Sequence, residues 1–510
     1  MRHLAPLLAF ACLAPALAPA QQQATAPAQA AHLPLSGRSP QAGSVTAAQG
    51  ANTAAGINTL IPSVAASGEF AGSTPGAKPF SGRLSLADAM ARGLAYNLGA
   101  GQWSNTVLQA QGQAQVARSA LLPDVNGSFS DTEQQLDLKA QGIRFSAPLT
   151  GALAGFSFPS VVGPFNYTQL QATLAQSLLN FTALNNYRAS QDSLRAQRME
   201  LSDARDLVVL GVGGAYLGVI AAQARLQAAR AQLDTANAIL LQSQQKQSVG
   251  TVPALTVDQN QVQAAIQQLQ LTTLRNDLAK RKINLARMIG LPPNSHYSLS
   301  DAVPYAPPPA LTLQAALAQA LERRADLQAA AAQAEAARSA LAAAQDERLP
   351  SASVSGTYGV IGAAPWSSSH GVFTVIGTVS IPLWQGGRVA GDVKQAHAAL
   401  NQRQAELQDL RAQIEAEVRE AFLDLSAAAS EVSVARANLT VAREALQMTR
   451  DRFQAGVINT VELIQAQQAV ATAEQDWINS VYADNVAKLT LARALGDAQA
   501  SWPKYLPVTH

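Results

Sequence analysis

Cysteine is nearly missing from this chain of 510 residues: Cys12 is the only one. It falls in an N-terminal stretch that reads as a secretory signal, with Arg2 and His3, an apolar run from Leu4 to Leu17 and a small-residue cleavage site at Ala18-Pro19-Ala20. An exported mature chain without Cys12 has no disulfide, thiol nucleophile or thiolate metal site. Ala9-Phe10-Ala11 makes a poor lipobox, so Cys12 is not read as a lipid acceptor. Charge is scarce as well, at 14%, and balanced, with Lys+Arg 36 against Asp+Glu 34. That excludes a basic footprint for nucleic acid and an acidic tail. Aromatics make up only 5%, while Ala and Gln are abundant, which suits extended helices packed through small side chains better than a thick globular core.

Catalytic groupings are missing too. His3 and His510 sit at the chain ends, and His32, His296, His370 and His397 are scattered without the spacing of a metal-ligand pair. Glu415 and Glu417 lie on different faces of a helix. Gly211-Val212-Gly213-Gly214 has no strand before it and is not a phosphate loop. No enzyme activity, metal or cofactor is expected.

What the chain does have is a repeat. Glycines Gly250 and Gly456 each end a long heptad-patterned helix, and the same offset of 206 carries Ala286-Arg287-Met288-Ile289-Gly290 onto Ala492-Arg493-Ala494-Leu495-Gly496. Read backwards it carries Val212, Ala215, Tyr216 and Leu217 onto Val418, Ala421, Phe422 and Leu423. Two copies of one helical hairpin place function in their assembly, not in a single pocket. The repeat also bears on the one long uncharged run, Leu207 to Ala224, which is near the length of a membrane span. Its counterpart contains Glu415, Glu417, Arg419, Glu420 and Asp424, so a packed helix is expected instead.

Each half opens with a helix ending at Leu-Pro, from Leu84-Ser85-Leu86 to Leu122-Pro123 and from Leu311-Thr312-Leu313 to Leu349-Pro350. The periodicity then changes from 3.6 to 2. Ala352, Val354, Tyr358 and Val360 alternate with Ser351, Ser353, Ser355 and Thr357, and second strands follow around Leu170-Ala172-Leu174 and Phe373-Val375-Val379. The loops between them cover about 139–165, glycine-rich, and about 361–371, carrying Trp366. The helix after the second pair has an apolar seam at Ile414, Val418, Ala421, Leu425, Ala428, Val432, Ala435, Leu439, Ala442, Leu446 and Phe453, broken only by Thr449. Running from near Gly391 to Gln454, it would be about 95 Å long.

The expected fold is therefore mainly α with a small β part: long antiparallel coiled-coil helices plus four strands per chain. Strands that alternate apolar and polar can cross a bilayer as a closed barrel, but four are too few to close one. Three chains would supply twelve, with Tyr167, Tyr358, Phe373 and Trp384 in the aromatic girdles. The other reading is a small water-facing sheet packed on the helices.

This ordered set, with Val249-Gly250-Thr251 at one turn and Phe453-Gln454-Ala455-Gly456-Val457 at the other, resembles the TolC-like outer-membrane efflux proteins over about 84–500. The resemblance is most specific from Phe453 to Gln467. It implies a homotrimer with a twelve-stranded barrel in outer-membrane lipid and a periplasmic helical tunnel, serving as passive exit duct for a periplasmic adaptor and an inner-membrane transporter in efflux or type I secretion. By the same resemblance Val249, Gly250, Thr251, Ala455, Gly456 and Val457 form the periplasmic tip where the adaptor docks. Glu462 takes the place of a pore-ringing, cation-binding acid, and Gln465, neutral where some members carry Asp, would weaken that aperture. The family latch of Tyr and Arg with an Asp of the first hairpin falls on Phe453, Ile458 and Thr256, with Asp258 two residues on, so closure must use other contacts. The alternative is a soluble periplasmic coiled-coil adaptor or scaffold. The expected segments are a signal (1–20), a disordered leader (21–80), two repeats (81–300 and 301–500) and a tail (501–510).

Overall fold

The computed structural model describes residues 44–51, 60–75, 80, 82–140, 142, 160–302, 305–308, 310–363, 370–455, 457–458 and 460–506. The signal segment with Cys12, Trp366 and Gly456 lie outside them.

The repeat is visible as matched helix boundaries. Helices α1 (Leu86–Tyr96) and α2 (Leu98–Ser119) lie 227 residues before α5 (Leu313–Arg323) and α6 (Ala325–Asp346). In each half one long helix ends in a tight turn and a second returns: α3 (Phe181–Ser248) with α4 (Ala254–Met288), and α7 (Arg388–Gln454) with α8 (Thr460–Ala494). At 1.5 Å per residue the 67 residues of α7 extend about 100 Å. The motifs read as helix starts are N-caps, Ser85 accepting from the Asp88 N–H and Thr312 from that of Ala315.

The sequence reads each opening helix as continuous to Leu-Pro, and the structure breaks both. Asn97 and Arg324, themselves 227 apart, adopt extended backbone and serve as C-cap of one helix and N-cap of the next. Asn97 is held by donating to the carbonyls of Phe70 and Met288 while it accepts from Gly99. Arg324 is held by Asp326 and Glu417.

Strands β4 (Asp124–Asp137), β5 (Val161–Leu179), β7 (Ser351–Gly362) and β8 (His370–Ser380) form one antiparallel sheet in the order β4-β5-β7-β8. Its register separates the faces. One cross-strand row is Asn126, Thr173, Thr357 and Thr374, and the next, on the opposite face, is Gly127, Ala172, Tyr358 and Phe373. Tyr358 and Phe373 thus stand on the apolar face, as a girdle requires, and Trp384 beyond β8 is exposed. Tyr167 does not join them, because its position in β5 gives it the face of Gln169, Gln171 and Thr173.

Residues read as a disordered leader contribute structure. Strands β1 (Val45–Ala51) and β2 (Leu60–Ala66) pair, and a 3-10 turn at Gly68–Ala71 buries Phe70. They pack on α3 at the glycines of the uncharged run: a Cβ on Gly214 would come within 2.5 Å of Val64 and one on Gly211 within 3.4 Å of Val45, while Gly213 admits Leu489 of α8 and Met90 of α1. Small residues there admit close neighbours, a pairing that low-complexity composition conceals. Helix α3 is long and apolar enough over one window to cross a membrane, but 78% of that window is buried inside the chain. Short strands β3 (Gly82–Leu84) and β6 (Tyr297–Leu299) pair in parallel, and α9 (Ala498–Tyr505) occupies much of the expected tail.

The largest core lies where the N-terminal strands, α1, α3, α4 and α8 meet, around Leu84, Met90, Val212, Tyr216, Leu285 and Leu489. A second joins α5, α7 and α8 through Ala316, Ile414, Val418, Leu425 and Leu491.

Candidate pore and docking surfaces

The two hairpin turns share one closing backbone hydrogen bond. In the first, Gly250 lies in the left-handed region at φ +74 and donates to Gln247 O, while Thr251 N–H reaches back to Lys246 O at 2.9 Å. That closure satisfies the last carbonyls of α3 and requires a residue without a Cβ at position 250. In the second, Val457 N–H reaches Arg452 O at 3.0 Å, the equivalent bond, and Ala455 N–H reaches Asp451 O. Val249 and Val457 are largely exposed, so each turn presents an apolar side chain to its surroundings.

Glu462 is exposed in the first turn of α8, between the buried Thr460 and Leu463, and Gln465 is exposed one turn on. Gln465 lines a groove between the hairpins together with Val461 and Ile464 of α8 and Leu255, Asp258 and Val262 of α4. The structure therefore brings Asp258 opposite Gln465. Glu462 is not among the groove residues.

At the latch positions the ring of Phe453 takes the Lys246 ammonium, 5.1 Å from its centroid. This joins the end of α7 to the end of α3, a pairing invisible in the sequence because the two residues belong to different hairpins. Further along, Arg225 of α3 donates to Asn479 of α8 at 2.6 Å, and Arg443 of α7 pairs with Glu474 of α8 at 3.0 Å.

A buried charge network, also missed by sequence reasoning, ties the halves together at the helix junctions. Arg324 is 2% exposed and pairs with Asp326 at 2.6 Å and with Glu417. Burial works against its charge, but the two carboxylates more than offset this and raise its pKa. Arg493 pairs with Asp203 of α3 at 2.7 Å. Asp206, one turn on, accepts from the Gln499 N–H at 2.8 Å, and burial pushes its carboxyl up to about 6, although that bond and Arg493 pull it down. The visible clue was positional: Arg324 stands where the other half has Asn97.

Beyond the hairpins, the sheet leaves β4 and β8 unpaired on their outer edges, and β8 is exposed along its whole length, with Phe373 76% and Val379 68% exposed. Long exposed edges of this kind template pairing with further strands.

Comparison with known proteins agrees with this geometry. The family model described as outer membrane efflux protein matches residues 99–291 and 316–497. The pyoverdine export outer membrane protein OpmQ of Pseudomonas aeruginosa is 27% identical over 186 residues, 36% of this chain and 37% of OpmQ, so the alignment spans well under half of that relative. The outer membrane protein TolC of Escherichia coli K12 is 23% identical over 414 residues, 77% of this chain and 83% of TolC. The crystal structure of the outer membrane protein VceC from Vibrio cholerae superposes with a TM-score of 0.67 at 20% identity, covering 81% of this chain and 96% of VceC, which establishes a shared fold.

Proposed function

The chain belongs to the outer membrane efflux protein family, and from that premise we propose that three copies join their sheets into a twelve-stranded barrel leading into a tunnel of hairpins. The protein is an outer-membrane efflux channel, a transport protein by family. The observation that carries the trimer is the open sheet: its outer strands β4 and β8 are long and exposed, and their free edges are suited to pairing with further copies. The polar row of Asn126, Thr173, Thr357 and Thr374 would face the lumen and the row of Tyr358 and Phe373 the lipid.

In this reading the hairpin turns at Val249-Gly250-Thr251 and Ala455-Gly456-Val457 form the tip that receives a periplasmic adaptor, itself coupled to an inner-membrane transporter. Glu462 would ring the aperture in three copies and favour cations there, with Gln465 contributing no charge. Membrane fractionation followed by planar-bilayer recording of the purified protein tests this. Discrete conductance from an outer-membrane trimer supports the duct; a water-soluble monomer without conductance supports the scaffold alternative.

A further inference from the structure

The contact between the hairpins changes character in a definite order along its length. Where α3 meets α8, Val212, Tyr216 and Val219 share an apolar core with Tyr482, Val486 and Leu489; within the second hairpin the α7 seam is buried from Ile414 through Leu439 and only half-buried at Ala442, Leu446, Thr449 and Phe453. The change has a parallel on the first hairpin. Leu226 and Ala229 of α3 with Leu271 of α4 form an apolar cluster, and just past it polar side chains meet between the helices: Gln232 donates to Glu474 at 3.4 Å, and Arg443 pairs with the same carboxylate.

At this level a cavity of ≈ 230 Å³ lies among all four helices, lined by Gln232, Gln267, Leu446, Gln467 and Val470 among others. Gln232 Oε1, Gln267 Oε1 and Gln467 Nε2 are buried with no hydrogen-bond partner among the described residues, and Gln267 is only 6% exposed. A buried amide group left without a partner is destabilising. Two acceptors and one donor around one polar space, far larger than a single water needs, suit a small cluster of water molecules that bond to both kinds.

We propose that this cavity is a hydration site, and that its wet layer sets the level at which the second hairpin parts from the first. The gating half of the proposal rests on the channel reading, under which the hairpin ends open. Parting across the wet layer exchanges one set of water bonds for another. Continuing beyond it would break the Arg225–Asn479 bond and then expose the apolar contact of Tyr482, Val486 and Leu489 with α3, which water disfavours. The separable end is then the segment from Glu474 to the turn, of which the twelve residues to Glu462 span about 18 Å.

Two measurements on the full-length protein test it. Hydroxyl-radical footprinting compares Val470, which lines the cavity, with Val107, equally buried at 8% exposure but in an apolar cluster. Water in the cavity labels Val470 several-fold faster; equal rates show a dry cavity and overturn the proposal. In planar bilayers the Gln232→Leu/Gln267→Leu/Gln467→Leu variant, checked for native-like circular dichroism, should open about tenfold less often, about what one unpaired amide is worth. Unchanged opening with fast Val470 labelling removes the gating role and leaves a structural water site. A native protein that never conducts overturns the channel reading and the gating half with it, while the footprint still decides hydration. If the triple variant misfolds, Gln267→Leu alone is read by the same two assays.

Discussion

The Lys246 ammonium rests 5.1 Å from the centroid of the Phe453 ring, joining the turn end of the first hairpin to that of the second. A cation over a ring face at a partly exposed site contributes about 0.5–1 kcal/mol. Lys246→Met should therefore raise the open probability of reconstituted channels by about two- to fivefold, and Phe453→Leu should do the same. Channels with either substitution that stay shut as often as the native protein would show that this contact does not hold the ends together.

Glu462 in three copies would concentrate negative charge at the aperture. Glu462→Ala should weaken block of the conductance by divalent cations, and Gln465→Asp should strengthen it. Dose–response curves for cobalt or magnesium block decide; a Glu462→Ala curve lying on the native one removes this side chain from the pore.

Arg324 is enclosed by Asp326 and Glu417, and Asp326 also lies 3.9 Å from Arg493. Removing the guanidinium leaves a buried carboxylate without its main partner, which costs about 3–5 kcal/mol. Arg324→Met should lower the denaturation midpoint by that order, whereas Arg338→Met, which loses only an exposed pair with Glu335, should cost under about 1 kcal/mol. Equal losses would contradict the network.

The Asp206 carboxyl is raised to about 6 from 3.8, chiefly by burial. Between those two values the folded chain holds a proton that the unfolded chain has released, so this group's contribution to stability falls as pH rises through the window. Asp206→Asn keeps an oxygen for the Gln499 N–H and removes the buried charge. The variant should be more stable than native at pH 7.5, by at most about 3 kcal/mol, and the difference should vanish near pH 4. A variant less stable at pH 7.5 would mean that attraction to Arg493 outweighs desolvation.

Gly214 faces Val64 at a distance that leaves no room for a methyl group. Gly214→Ala should destabilise the docking of the N-terminal hairpin by about 1–3 kcal/mol, and Val64→Ala should relieve part of that loss in a double-mutant cycle on thermal unfolding. Additive losses would show that the hairpin does not press on α3 there.

Much of the helical framework could be read in the sequence because its cause is local and repeated. The 206 offset places both α4 and α8 to the residue, 254 to 460 and 288 to 494, and the Leu-Pro steps place the strands. Gly250 announces a turn because a left-handed residue tolerates little else. The breaks at Asn97 and Arg324 could not be read, since each is fixed by partners far along the chain, Met288 for one and Glu417 for the other. Nor could the structure at 45–51 and 60–71, where Val45 and Val64 meet glycines of α3 and Phe70 meets Gly99 of α2.

The sequence by itself determined the two-copy plan, the extent of the long hairpin helices, the alternation of the strands and the family, because periodicity, glycine and proline act through near neighbours. Only the tertiary structure decided which faces meet: Lys246 with Phe453, Asp258 opposite Gln465, and a seam that stays buried through Leu439 and is half-buried beyond it. Those pairings join residues hundreds of positions apart, and side-chain packing across separate helices, which no local pattern encodes, selects among them.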